Sequence, residues 1–251
     1  MREAPPFIIE IRLRRDEVES FNDYPFSLPI IRKFKALKLH PQVTFLVGEN
    51  GSGKSTLLEA VAVASGFNAE GGSRNFNFET RGSHSDLHEF ITLVRTGIRP
   101  RDGFFLRAES FFNLATEIER LDEEPGGNRI IDSYGGKSLH EQSHGESFLA
   151  LFLNRFGGKG LYILDEPEAA LSPNGLMRLI SRLHELTKDG SQFIVATHSP
   201  ILLTYPHADI FEISANGLVK TSYQDTSHYL LTRYYLNNPE RLMAELLRES
   251  S

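Results

Sequence analysis

Three short stretches hold the residues best suited to chemistry: Gly48-Glu49-Asn50-Gly51-Ser52-Gly53-Lys54-Ser55, then Leu161-Tyr162-Ile163-Leu164-Asp165-Glu166, then Thr197-His198-Ser199. The first has the spacing Gly-x4-Gly-Lys-Ser, a pattern whose backbone N–H groups converge on phosphate oxygens. Gly48, Asn50, Gly51, Ser52, Gly53, Lys54, Ser55 and Thr56 are its candidate binding residues, with Lys54 for the outer phosphates and the Ser55 hydroxyl for magnesium. Asp165 is placed to hold that ion directly or through water, and Glu166 to reach a water in line with a terminal phosphoryl group. His198 reads as a polar sensor of the same group. Each has a plainer reading: a glycine-rich turn, an acidic pair at a strand end, a histidine in a turn. Their fixed order along one chain favours the phosphate reading.

The elements that must hold these groups can be read around them. Val43 to Val47 is an apolar run entering the glycine loop, and Thr56 to Ala62 is the helix leaving it, whose positive end favours anions. Four apolar residues precede Asp165, and Pro167 ends that strand. Phe193 to Ala196 leads to His198, which therefore sits at a strand end, where ligands bind in open α/β sheets. Leu176, Leu179, Ile180, Leu183 and Leu186 set one apolar stripe on a helix from Pro173 to Lys188. With strands over Ile210–Ser214 and Leu218–Thr221, the alternation predicts parallel strands covered on both faces. Phe7, Ile9, Ile11 and Leu13 alternate with Glu10, Arg12 and Arg14 as a separate N-terminal strand.

Asn68 to Asp86 is polar and reads as a surface loop or short edge strands. Gly103 to Arg107 reads as a strand, followed by a helix carrying Phe111, Phe112, Leu114, Ala115, Ile118 and Leu121. A second helix carries Phe148, Leu149, Phe152 and Phe156, so the stretch from about 107 to 157 is a candidate helical insertion. Two terminal helices are expected, one around Tyr229–Leu236 and one after Pro239.

With 251 residues, 40% of them hydrophobic, the chain can bury a large core as a single α/β domain. It has no cysteine, which excludes disulfides and thiolate chemistry and fits a reducing, cytoplasmic setting. No apolar run approaches the roughly 18 residues of a membrane span, so no direct membrane insertion is expected. A net charge of −6 argues against a surface that coats nucleic acid. Arg95, Arg99, Arg101 and Arg107 nevertheless fall close together, either as a solvated loop with paired charges or as a local patch facing phosphates or an acidic partner.

In these motifs the sequence resembles the ATP-binding-cassette (ABC) ATPases, within them the soluble branch related to chromosome-maintenance and DNA-repair ATPases. Its three stretches match that family's Walker A, Walker B and His-switch elements, and the resemblance covers most of the chain. Gln142-Ser143-His144-Gly145-Glu146 resembles the signature segment, with His144 where glycine is usual and Glu146 where glutamine is frequent. Read by itself, Ser143 with Glu146 is a capping box that starts a helix. Ala169-Ala170-Leu171-Ser172 resembles the D-loop, although Ser172 replaces the usual aspartate and is equally a cap for the helix beginning at Pro173. The Q-loop glutamine has no clear counterpart; Glu109 is the substitute, offering an oxygen to magnesium or water. Tyr24 or Phe26 is the candidate for stacking on adenine, and core packing is the other use of either ring.

The resemblance implies a P-loop fold of ABC type over residues 1–251: a mainly parallel central sheet with flanking helices, an N-terminal antiparallel β portion and a small helical insertion. It implies ATP and Mg²⁺ as ligands, hydrolysis of the γ-phosphate with Glu166, His198 and Lys54 as catalytic residues, and Ser55, Asp165 and Glu109 at the metal. It further implies a homodimer formed on MgATP, in which Ser143 and Gly145 of each subunit complete the other's nucleotide site. The alternatives are the ATP-binding subunit of a membrane transporter and a DNA-associated or defence ATPase, each with a further protein or nucleic-acid partner.

Overall fold

Alternate residues of the buried strands go to opposite faces of one sheet and enter two separate cores. Strands β1 (Ile8–Leu13), β2 (Ala36–Lys38), β3 (Val43–Val47), β4 (Ile91–Arg95), β5 (Asp102–Arg107), β6 (Gly160–Asp165), β7 (Gln192–Ala196), β8 (Ala208–Ser214) and β9 (Gly217–Thr221) form two sheets. The six-stranded sheet has the order β5-β6-β7-β3-β8-β9, parallel except for the β8–β9 pair. From β3, β5, β6 and β7, Phe45, Phe104, Tyr162 and Phe193 face one core, while Leu46, Phe105, Ile163 and Ile194 face the other. A period of two with both faces covered is why these strands read as unbroken apolar runs.

The structure is a computed structural model that describes residues 4–74, 85–122, 130–134, 136, 144–214 and 217–247. Helices α1 (Pro29–Arg32), α2 (Lys54–Ala64), α3 (Phe111–Asp122), α4 (His144–Ala150), α5 (Pro173–Lys188), α6 (Ser227–Asn237) and α7 (Pro239–Leu246) flank the sheets. The first core contains buried residues of α3, α4 and α5; the second contains those of α1 and α2 and of the antiparallel sheet β2-β1-β4. Gln192, itself buried, ties the two sheets. Its Oε1 accepts from the N–H groups of Phe7 and Ile8 at 2.9 and 3.0 Å, and its Nε2 donates to the Ile8 carbonyl at 2.8 Å.

Within the candidate insertion, α4 continues into a π-helical turn over Leu151–Arg155. Phe156 then stacks on Tyr162 with centroids 4.3 Å apart, fastening this segment to β6. Arg107 does not join the other three arginines. It closes β5 and donates to Glu59 of α2 at 2.9 Å, with its side chain 17% exposed. Helices α6 and α7 bury no residue, and Leu231, Leu236, Leu246 and Leu247 stand open to solvent. No described helix is long and apolar enough to cross a membrane.

Candidate functional site

The loop after β3 turns into α2 through Gly53, whose φ of +96° only glycine adopts readily. A Cβ there would also stand 2.7 Å from Cγ2 of Ile30 on α1, so both conformation and space demand glycine. No side chain caps α2, which leaves its first-turn N–H groups for an outside acceptor. Lys54 is buried, and its Nζ donates to the carbonyls of Gly48 at 2.8 Å and Glu49 at 3.0 Å. Burial lowers its pKa from the usual value, against the pull of Glu166 and Asp165. The hydroxyl of Ser52, also buried, has no hydrogen-bond partner among the described residues. An ammonium resting on its own loop, an orphaned hydroxyl and an uncapped helix start form a donor set that suits a phosphate chain.

β6 delivers Asp165 beside this loop. The Ser55 hydroxyl donates to Asp165 Oδ1 at 3.1 Å, joining residues 110 positions apart. Burial pushes the Asp165 carboxyl up to about 6, opposed by the Ser55 hydrogen bond and the Arg107 charge. A carboxylate kept from water and a hydroxyl at its side offer only hard oxygen ligands, as Mg²⁺ prefers. Those residues therefore fit the ion. Glu109 lies at the rim, 88% exposed, with Arg107 3.6 Å away.

Glu166 follows with φ of +51°, a left-handed conformation uncommon outside glycine and typical of functional turns. Its N–H donates to the Ala196 carbonyl at the end of β7 at 3.0 Å. That bond brings the two strand ends together. Oε1 of Glu166 then lies 3.1 Å from His198 Nε2. On the other side of the imidazole, Nδ1 lies 3.0 Å from Nε2 of His228 on α6. Glu168 holds the turn after β7: its Oε1 accepts from the Thr197 hydroxyl at 2.7 Å and from the His198 backbone N–H.

Lys54, Ser55, Asp165, Glu166 and His198, expected from sequence to work together, are thus joined by contacts at the C-terminal ends of β3, β6 and β7. Gly145 sits in the first turn of α4, where a Cβ would be 2.9 Å from the Ala170 carbonyl, so α4 packs against the Ala169–Ser172 segment. Ser172 caps α5, accepting from Gly175 N–H at 3.2 Å. Ser143 lies outside the described residues. Tyr24 is 64% exposed, whereas Phe26 packs edge-on against Phe90. Sequence reasoning missed Glu168 and His228. The former stands among the acids after β6 and had a local signal; the latter, on a separate helix, had none.

Two family profiles match the chain: "AAA domain" over residues 18–138 and "AAA domain, putative AbiEii toxin, Type IV TA system" over residues 138–204. A "Putative ABC transporter ATP-binding protein" of Caldanaerobacter subterraneus is 30% identical over 166 residues, covering 61% of this chain and 68% of that protein. The "ABC transporter G family member STR2" of Medicago truncatula is 28% identical over 204 residues; the match takes in 75% of this chain but spans only 28% of the plant protein's length. Among solved structures, a nucleotide-free ATP-binding cassette from an ABC transporter is 14% identical, with 94% of this chain and 97% of that one covered, at a TM-score of 0.49.

Proposed function

The chain belongs to the ABC-type P-loop ATPases, and from that membership we propose that it binds MgATP at the Lys54–Asp165 cleft and hydrolyses the γ-phosphate there. The Ser55–Asp165 contact of 3.1 Å carries the reading, because it places a phosphate loop and a buried carboxylate at one position suited to a cation. Backbone N–H groups of the loop and the start of α2 hold the phosphates, and Lys54 leaves its two carbonyls for the outer phosphoryl oxygens. Ser55 and Asp165 would hold Mg²⁺, which when bound would supply positive charge to offset that of the phosphates. Glu166 orients the attacking water and accepts its proton. His198 Nε2, beside Glu166, donates to the terminal phosphoryl group.

The same reading makes the active form a homodimer assembled on MgATP. Ser143 and Gly145 of one copy would face the triphosphate of the other, with Gly145 on the first turn of α4 and the Ala169–Ser172 segment packed beneath it. Size-exclusion chromatography with light scattering tests this. Glu166→Gln with MgATP should run as a dimer that hydrolyses little, and Lys54→Ala as a monomer with no bound nucleotide. A Glu166→Gln protein that stays monomeric at every concentration with ATP bound would remove the dimer. Turnover by that variant at the unmodified rate would remove Glu166 from the chemistry.

A second reading, the ATP-binding subunit of a membrane transporter, is favoured by the names of the relatives in Caldanaerobacter and Medicago. The exposed leucines of α6 and α7 fit a protein partner under either reading. Recovery with a multi-span membrane protein, stable in mild detergent, decides for the transporter.

A further inference from the structure

A groove lined by cations lies at the other end of the central sheet from the phosphate loop. β6 begins at Gly160 and ends at Asp165, which at about 3.3 Å per residue puts its start roughly 17 Å from the metal-binding carboxylate. Two adjoining cavities of about 490 and 260 Å³ share Phe7, Ile98 and Arg99. Arg74 and Arg95 line the larger, Arg101 and Lys159 the smaller, and no acidic side chain among the described residues lines either. Arg95 ends β4, Arg99 and Arg101 lie on the connection to β5, and Lys159 immediately precedes β6. The fold itself gathers these cations.

None of the five makes an ion pair among the described residues. In a chain with 33 acidic and 27 basic residues that is a local reversal of the overall balance. Elsewhere arginines find carboxylates: Arg107 on Glu59, Arg155 on Asp102, Arg182 on Glu185. Two of the groove arginines are also held in place. Arg95 donates to the Ala64 carbonyl at 2.7 Å, and the Arg74 guanidinium lies over the Phe67 ring, 5.2 Å from its centroid. Burial first, and the Arg95 charge second, lower the pKa of Arg74, a repulsion that an anion between the two would relieve.

We propose that this groove binds nucleic acid through its phosphodiester backbone. A single small anion would meet only part of the row, whereas a polyanion lying along both cavities meets all of it. Four of the five cations are arginines, whose planar fork matches phosphate oxygens in pairs. Phosphates sit on the strand itself at regular spacing, so successive cations are met without ordering a flexible carboxylate side chain for each contact, as an acidic peptide would require. Ile98, 49% exposed between the arginines, offers an apolar surface to a base or sugar. The site needs no ATP, so its failure and that of the ATPase reading are separable.

The test is fluorescence anisotropy of labelled DNA, about 25 nucleotides long, single-stranded and duplex, without nucleotide, as KCl is raised from about 50 to about 200 mM. Five phosphate contacts predict a slope of log K against log salt near −3.5 for the single strand, or roughly a hundredfold loss across that range. Arg95→Glu with Arg99→Glu should weaken binding at least about twentyfold and flatten the slope by about 1.4, with affinity for a fluorescent ATP analogue unchanged. Arg99→Glu with Arg101→Glu, both on a connecting loop, repeats the test where the β4 edge is untouched. Three results overturn the proposal: no DNA binding at the lowest salt, equal binding by folded charge-reversed proteins, or competition by polyglutamate as effective as by unlabelled DNA.

Discussion

Nε2 of His228 lies 3.0 Å from Nδ1 of His198, whose other ring nitrogen lies 3.1 Å from Glu166 Oε1. A carboxylate only accepts, so His198 Nε2 carries the proton, and in the neutral ring Nδ1 must then accept from His228. Burial, the largest influence on it, lowers the His228 pKa, which favours that ring as a neutral donor. The chain of bonds therefore runs one way, from α6 into the cleft. His228 thereby sets the tautomer and tilt of His198.

His228→Ala should lower kcat about fivefold, the worth of one hydrogen bond of about 1 kcal/mol, while KM for ATP moves less than about twofold. His228→Gln retains an N–H donor and should recover most of the loss. Steady-state phosphate release measures both. Equal kcat in the alanine variant and the unmodified protein would mean that His198 is oriented without α6.

Asp165 makes a prediction about the protein without ligands. Its folded pKa, about 6, lies above the ordinary 3.8, so folding raises its proton affinity and the ionised form costs stability. The cost is absent below pH 3.8, grows as pH rises, and is complete above about 6. Asp165→Asn should therefore stabilise the apoprotein at pH 7.5 by up to about 3 kcal/mol, with the gain fading below pH 5. Urea unfolding in EDTA at several pH values gives the difference. The same variant should lose the stabilisation that MgATP gives the unmodified chain. A gain independent of pH would assign it to packing instead.

How much of this was legible depended on how local each signal was. β3, β6 and β7 are buried on both faces, so their residues alone announce strands, and the motifs at their ends put Lys54, Asp165 and His198 at or after the C-terminal ends of neighbouring strands. α5 is marked by Ser172, Pro173 and its leucine stripe. β4 passed unread because its strand character comes from pairing with β1, some 80 residues away, and its middle is half exposed. Arg107 was grouped with the loop arginines for the same reason: its partner Glu59 lies on another element. The contact of His228 with His198 spans 30 residues and has no spacing rule to reveal it.

Gly53→Ala tests the loop rather than the chemistry. The new methyl would meet Ile30 Cγ2 at 2.7 Å in a backbone that resists any Cβ. The expected cost is about 1 to 3 kcal/mol, with ATP affinity reduced at least about tenfold as the loop opens. Thermal unfolding with and without MgATP checks both. Gly51→Ala, with φ of +76° but no atom within 4 Å of the added carbon, isolates the conformational share and should cost less.

Glu168 separates anchoring from catalysis. Its Oε1 takes hydrogen bonds from the Thr197 hydroxyl and the His198 backbone, and Thr197 in turn accepts from Ser199 N–H at 3.0 Å. Glu168→Ala leaves two donors without an acceptor at the turn that aims His198, a loss of about 2 to 4 kcal/mol in stability with a drop in kcat of at least about tenfold. Oε2 of Glu168 is buried without a partner among the described residues, so an amide nitrogen there sacrifices no bond seen among them. Glu168→Gln keeps the accepting oxygen and should therefore retain most of the stability and turnover. If the glutamine variant is as inactive as the alanine one while remaining folded and binding ATP, the negative charge rather than the turn is what the reaction uses.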